Sequence, residues 1–367
     1  MDIAPTSGNG SWIETSDGEK FLDLYGGHAV CAVGHAHPHV VNAIKDQADK
    51  LLFYSNLVYS EVRAKAAEKL ISVAPEPITK VFFCNSGTEA NENAMRMARL
   101  VTGRENIISF SGSFHGRTSD SISATFLGKY RDIGKPNVPG HIKAEFGDIK
   151  SVQAVADNRT AAIILEPIQS MAGVTEADPM FFRQLREFCD ELEIILIFDE
   201  VQTGIGRTGN WFFGGSDLAN GIVPDIISLA KSLGSGVPVG ACLVNEKISK
   251  KIKLNELGTT FGGGMLAMAA VLATIEAIEA DNMLSNARSA ESLLHSRLND
   301  VSNIVSIKGK GCLIGIEFAS DCDEYYSKLL SNKIITGKSS DPKVLRLLPP
   351  LNVSVDELVL FMKVLEA

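Results

Sequence analysis

Two apolar runs, each of strand length and each ending on a charged residue, constrain the fold of this 367-residue chain most. Residues 194–198 (IILIF) lead into Asp199, Glu200, Val201 and Gln202, and residues 225–230 (DIISLA) lead into Lys231. Both runs have the β-branched content and length of buried strands. In an open α/β sheet the ends of such strands face one crevice, and ligands bind there. An α/β fold is therefore expected, with Asp199 and Lys231 at the rim of one cleft.

Most Asp–Lys pairs at strand ends are plain ion pairs, because charged residues are seldom buried alone. Here the neighbours add chemistry. Pyridoxal phosphate needs a lysine that bonds it covalently and a carboxylate that keeps its ring nitrogen protonated. Lys231 and Asp199 could supply both. Val201, two residues past Asp199, would share its face and could pack on a flat ring. Gln202 could donate to a phenolic oxygen.

Composition narrows the classes. A net charge of −9 argues against a nucleic-acid surface, which needs a basic stripe. No polybasic run marks a membrane patch, and no apolar run reaches the roughly 18 residues of a membrane helix. The start, MDIAPTSGNGSW, carries neither the basic nor the apolar region of a secretory signal. Six cysteines at 31, 84, 189, 242, 312 and 322 are scattered without a CxxC pair. They read as reduced thiols, so a cytoplasmic protein is expected.

Along the chain, residues 11–15 and 20–24 read as a hairpin turning at Asp17-Gly18. His35, His37 and His39 alternate around Pro38. They read as a rigid loop feeding a helix over 39–52, and no metal is expected. A second helix is expected over 61–73. A strand at 81–84 then runs into Asn85-Ser86-Gly87-Thr88 and a helix to about residue 100. Small residues before a helix let its orphan amides approach an anion, although Ser-Gly-Thr is also an ordinary helix cap.

A strand at 107–110 precedes SFHGRT. There Phe114 could stack on a ring, and Arg117 could clamp a carboxylate or make a surface ion pair. Residues 125–143 read as an irregular excursion, 161–165 as a buried strand and 181–193 as a helix. Residues 204–209 match GxGxxG, but no helix follows, so they read as a loop over the active site. A charged helix is expected over 247–256. Thr259, Thr260 and the glycines after them form another segment suited to phosphate. Helices over 267–280 and to 298, strands near 311–318 and 344–348, and a last helix from 354 complete the chain. Arg346 precedes Pro349-Pro350, where it could reach back to the cleft.

In order, YGGHAVCAVGHAHP, NSGTEANENAMRMAR, SFHGRT, LEPIQ, IFDEVQTGIGRTG, LAKSLGSGVPVGA, GTTFGG and LRLLPP span nearly the whole chain. Together they resemble the class III (ω-amino) aminotransferases, above all the acetylornithine and succinylornithine aminotransferase group. The resemblance implies the pyridoxal-phosphate-dependent transferase fold type I. That fold has a large domain around a mostly parallel sheet and a smaller α+β domain. Residues 1–40 would pack with the small domain, 41–265 would form the large domain and 266–367 the small one.

The resemblance also implies roles. Lys231 would bond the cofactor and Asp199 would pair with its ring nitrogen. Glu200 belongs to the same cofactor stretch, Val201 would pack on the ring and Gln202 would meet its phenolic oxygen. Gly87 and Thr88 would hold the phosphate, and Phe114 would stack. Thr260 would reach the cofactor of a neighbouring subunit, so a homodimer with a shared site is expected. Arg117 and Thr259 would contact an acylated ornithine. Arg346 would bind the α-carboxylate of 2-oxoglutarate or glutamate. The implied reaction moves the ω-amino group of an N-acylated ornithine to 2-oxoglutarate, in arginine biosynthesis. Other ω-amines, or racemase and aminomutase chemistry on the same fold, stay open.

Two positions depart from the family pattern. Met171 stands where a glutamate able to mask Arg346 is usual, and Gly264 stands where an asparagine is usual. The start is also short, so an N-terminal arm is expected to be absent.

Overall fold

The computed structural model describes residues 1–299 and 301–366, apart from the side chain of Lys129. A seven-stranded sheet organises it. In spatial order its strands are Ile78–Cys84, Gly240–Asn245, Ile226–Leu229, Ile195–Asp199, Thr160–Leu165, Asn106–Phe110 and His141–Ala144. Gly240–Asn245 runs antiparallel to both its neighbours, and the other pairings are parallel. The central strands carry apolar residues continuously because they are covered on both faces. Ile163, Leu165, Leu196, Phe198 and Ile227 are fully buried. Each such side chain contributes about 1.5–3 kcal/mol on leaving water.

Helices cover the sheet. Gly87–Thr102 starts at Ser86, whose hydroxyl accepts from the Glu89 amide at 3.3 Å, while the Glu89 carboxylate accepts from the Asn85 amide at 2.9 Å. This is a capping box displaced by one residue. Gly103, at φ 69°, ends the helix in the left-handed conformation. Pro38–Lys50 and Glu61–Ser72 pack against Met265–Ala280.

Two smaller sheets flank this body. Trp12–Thr15 and Lys20–Asp23 form the expected hairpin, Pro5–Asn9 adds a third strand, and Ile334–Ile335 pairs parallel with Lys20–Asp23. The chain's beginning and its last quarter thus share one sheet. The other sheet takes Ile304–Lys310, Leu313–Phe318, Val344–Leu347 and Gly337–Lys338 in that order.

Three local expectations need correction. The charged helix over 247–256 is only one turn, Glu246–Ser249. Lys250, Lys251 and Lys253 follow it as a run of like charges, and Asn255 at φ 71° breaks the path. The excursion over 125–143 holds the edge strand's first residues and a short 3₁₀ turn, Gly128–Asp132. The 204–209 loop does not roof the cleft. It is drawn inward by Arg207, which is fully buried and donates to the carbonyls of Cys312, Pro349 and Ala29.

Candidate active site

The C-terminal ends of five parallel strands converge on one cavity of about 360 Å³. Gly87 and Thr88 follow Cys84, Phe114 and His115 follow Phe110, and Glu166 follows Leu165. Asp199 ends its own strand, and Lys231 follows Leu229. The antiparallel strand enters from the other direction and brings Val237 and Val239. Asp199 and Lys231 are neighbours for a simple reason: their strands pair in parallel, with Asp199 opposite Ser228.

Asp199 is 3 % exposed and well held. Its Oδ2 accepts from Asn91 Nδ2 and from His115 Nδ1, each at 2.7 Å, and its Oδ1 accepts from the Val201 amide at 3.1 Å. Asn91 also donates to the His115 carbonyl at 2.7 Å and accepts from the Ser228 hydroxyl. A buried carboxylate needs such donors to remain ionised. Neither Asn91 nor His115 was singled out by the sequence reading. Asn91 lies one helical turn past Gly87, on the face that meets the sheet, and that spacing is the signal it offered.

Lys231 is half-buried in the cavity wall at φ 40°, and no described carboxylate lies within ion-pairing distance of it. Burial lowers its pKa to about 8, against the raising influence of Asp199 and Glu166. Glu166 lines the same cavity. Its Oε1 accepts from the Phe114 amide at 2.7 Å, and burial together with Asp199 raises its pKa to about 8.

Val201 and Gln202 also line the cavity. A Cβ on Gly87 would stand 3.0 Å from a Val201 methyl and 3.4 Å from the Ala230 Cβ, so a side chain there would have to press on Val201. Glu200 is corrected. It points away from the cavity, is fully buried, and accepts from the Phe213 and Gly214 amides at 2.7 and 2.9 Å. Burial raises its pKa to about 7. Alternation along the chain turns it to the opposite side from Asp199 and Val201.

The remaining expected residues lie around the cavity rather than in it. Arg117 is exposed, 5.0 Å from the Tyr130 ring centroid and 6.0 Å from that of Phe114. Thr259 accepts from Asn85 Nδ2 at 3.4 Å and from the Gly262 amide at 3.1 Å. Thr260 is exposed and does not line this chain's own cavity. Arg346 is 2 % exposed. It donates to Tyr25 Oη at 2.6 Å, Ser170 Oγ at 3.1 Å and the Lys338 carbonyl at 2.9 Å. Tyr25 and Ser170 are further residues that the sequence reading did not mark.

Pyridoxal phosphate fits this donor set. The cavity offers an amine with no ion pair among the described residues, a fixed buried acid and a helix start whose first residue is glycine. The first two amides of that helix have no intrahelical acceptor, as an anion site requires. Gln202 Oε1 is buried with no hydrogen-bond partner among the described residues.

A family model, aminotransferase class-III, matches residues 1–367. The chain belongs to the class-III aminotransferase family. A relative from Methanopyrus kandleri, named acetylornithine aminotransferase, is 40% identical over 354 residues, covering 96% of this chain and 90% of its own. The solved N-acetylornithine aminotransferase of Stenotrophomonas maltophilia superposes with a TM-score of 0.85 at 30% identity, covering 100% of this chain and 94% of that one. The ornithine aminotransferase of Toxoplasma gondii, solved with partial occupancy of pyridoxal phosphate at its active site, gives 0.91 at 26% identity, covering 100% and 89%. This class-III aminotransferase accordingly has the fold type I architecture, and its reaction moves an amino group from an amino donor to a keto acid. None of its described helices is long and apolar enough to cross a membrane.

Proposed function

We propose that this aminotransferase binds pyridoxal phosphate at Lys231 and moves the ω-amino group of an N-acylated ornithine to 2-oxoglutarate, as a step of arginine biosynthesis. The observation that carries the reading is the pairing of two sites: Lys231 sharing a cavity with buried Asp199, and buried Arg346, which has no carboxylate partner among the described residues. The names of relatives at about 40% identity support the acylated donor, N-acetylornithine being the one those names specify.

Bound here, pyridoxal phosphate supplies an electrophilic carbon for the amine and an electron sink for the resulting carbanion. The protein does the rest. Asp199 presents a charge to the ring nitrogen, held ready by Asn91 and His115. Gly87 and Thr88 meet the phosphate at the helix start. Val201 and Phe114 pack against the ring, and Gln202 meets its phenolic oxygen. Lys231 Nζ takes a proton from the donor's ω-carbon. A pKa lowered to about 8 leaves roughly a tenth of this amine neutral, and therefore basic, at pH 7, where an ordinary lysine has far less. Arg346 holds the acceptor's α-carboxylate, while Arg117 and Thr259 contact the donor. Donor and acceptor visit the site in turn, so ping-pong kinetics are expected.

The active unit is a homodimer in this reading. Leu52, Leu57, Tyr59, Leu254 and Phe261 are exposed, and the Phe53 and Phe261 rings meet at 5.3 Å, beside Thr260. Such an apolar patch marks an interface. Its second copy would bring Thr260 to the neighbour's phosphate. A cytoplasmic location agrees with six free thiols, five of them buried.

The test is a panel of amines with 2-oxoglutarate, ranked by kcat/KM. Acylated ornithines are expected at the top. Free ornithine or 4-aminobutyrate ahead of them would overturn the donor assignment.

A further inference from the structure

Thr88 lines the cavity at the start of helix Gly87–Thr102, yet its hydroxyl belongs to a chain of hydrogen bonds that leads elsewhere. Thr88 Oγ1 lies 2.6 Å from Thr118 Oγ1, and Thr118 Oγ1 lies 2.5 Å from Glu92 Oε1. Glu92 stands four residues beyond Thr88, on the same face of the helix. Its Oε1 also accepts from the amides of Asp120 and Ser121, at 2.9 and 3.2 Å. Gly116 lets the loop that carries Thr118 close on the helix start. A Cβ there would collide with Thr88 Oγ1 and Cβ, and its φ of 140° suits glycine. Ser121 Oγ fastens the same contact by donating to the Thr88 carbonyl at 3.1 Å.

Counting protons gives the chain its direction. A threonine hydroxyl has one proton and two lone pairs. Glu92 Oε1 accepts from two amides, so it is an acceptor for Thr118 as well. Thr118 therefore gives its only proton to Glu92, and the link between the two threonines is filled by the proton of Thr88. The Thr118 amide, 3.4 Å from Thr88 Oγ1, faces an oxygen that is free to accept. With a phosphate at the helix start, three links would need three protons, and the two hydroxyls supply two.

We infer that Glu92, acting through Thr118, holds the Thr88 proton away from the cofactor phosphate and so limits the grip of this site on its cofactor. The inference rests on the reading that sets the phosphate at Gly87 and Thr88, and it leaves the phosphate to the backbone amides of the helix start. Glu92 and Thr118 are positioning residues, because both act through Thr88. Among the described residues no cation lies within ion-pairing distance of Glu92, so its carboxylate relies on the donors named above. The nearby Asp120 carboxylate is occupied by Arg99 and His141, at 2.6 and 2.7 Å.

The test measures, by calorimetry on the full-length protein freed of cofactor, the binding of pyridoxamine phosphate, the form that no lysine can bond. Thr118→Val removes the competing acceptor and should tighten binding about three- to tenfold, the difference between a neutral and a charged partner for one hydroxyl. Glu92→Gln keeps an acceptor for the two amides but makes it neutral, and should give a smaller gain, about twofold. Thr118→Ser should match the wild type. Thr88→Val alone should change little, and added to Thr118→Val it should abolish the gain. Pyridoxamine, which lacks the phosphate, should bind every variant alike. No gain in Thr118→Val, together with a loss of about tenfold in Thr88→Val, would overturn the inference and leave the phosphate at Thr88. No change in any variant would take the phosphate away from Thr88 and sink that placement together with the inference.

Discussion

Asp199 and Arg346 are both buried charges at the cleft, and the protein treats them in opposite ways. Asp199 is surrounded by donors: Asn91, His115 and the Val201 amide complete its bonding. Among the described residues Arg346 donates only to neutral oxygens, of Tyr25, Ser170 and Lys338. Burial lowers its pKa, and Tyr25, Glu166 and Tyr130 oppose that. A buried cation without a counterion is costly unless something supplies the anion. The acid is solvated by its own protein and suits a resident cofactor. The arginine is left to be completed by an anion that comes and goes.

The largest effect should come from Asp199→Asn. It removes the charge facing the ring nitrogen, and breaking a buried pair costs about 3–5 kcal/mol, or roughly 10²–10³-fold in kcat/KM. It also sets an amide NH₂ against either Asn91 Nδ2 and His115 Nδ1 or the Val201 amide, so a loss of about 1–3 kcal/mol in folding stability is expected from the unpaired donors. Denaturant titration and steady-state kinetics measure the two losses separately.

Arg346→Met should behave differently. Its kcat/KM for 2-oxoglutarate is expected to fall about 30- to 1,000-fold, mostly through KM, as truncation of a buried charge contact usually does. Its stability should stay level or rise, because an apolar side chain replaces an uncompensated buried cation. If Arg346→Met destabilises the fold as much as Asp199→Asn, the contrast between the two charges is wrong.

The same contrast can be narrowed by restoring a carboxylate. Met171→Glu places an acid beside Ser170, in reach of the loop that cradles Arg346. Masking the guanidinium should raise the KM for 2-oxoglutarate about three- to thirtyfold, a 1–2 kcal/mol effect. It should also raise the activity on free ornithine relative to acylated donors. An unchanged donor ranking would show that residue 171 does not govern access to Arg346.

How much of this was readable in the sequence depends on distance along the chain. The apolar runs at 194–198 and 225–230 were strands, and Asp199 and Lys231 share a cavity as their strand ends implied. Those features are local, because a buried strand in a parallel sheet shows itself as a continuous apolar run. Asn91 and His115 were hidden because they reach Asp199 across 108 and 84 residues. Tyr25 reaches Arg346 across 321. No periodicity encodes such pairings. Glu200 misled because it stands among cofactor residues, although strand alternation already pointed it elsewhere. The short Ile334–Ile335 strand could not be read from two residues, since its partner lies at the opposite end of the chain.

The smallest expected effect tests whether the neutral cradle of Arg346 is itself anchored by charge. Asp23 Oδ1 accepts from the Tyr25 and Gly26 amides, both at 2.9 Å, and its Oδ2 meets His35 Nε2 at 2.8 Å. That hydrogen bond to Asp23 raises the His35 pKa to about 10. The folded value lies above the ordinary 6.5, so the stabilisation is fully present below pH 6.5 and is lost as pH rises through about 10. His35→Ala should cost about 1 kcal/mol below that window, discounted because 20% of the side chain meets water. Above the window it should cost almost nothing. Melting temperatures of both proteins across the window, taken with the cofactor bound, should converge toward high pH. If Tyr25 depends on this anchor, the variant should also show a KM for 2-oxoglutarate raised a few-fold with kcat nearly intact. A parallel pair of melting curves would mean that His35 carries no charge in the folded protein, and that the Tyr25 turn is held by Asp23 alone.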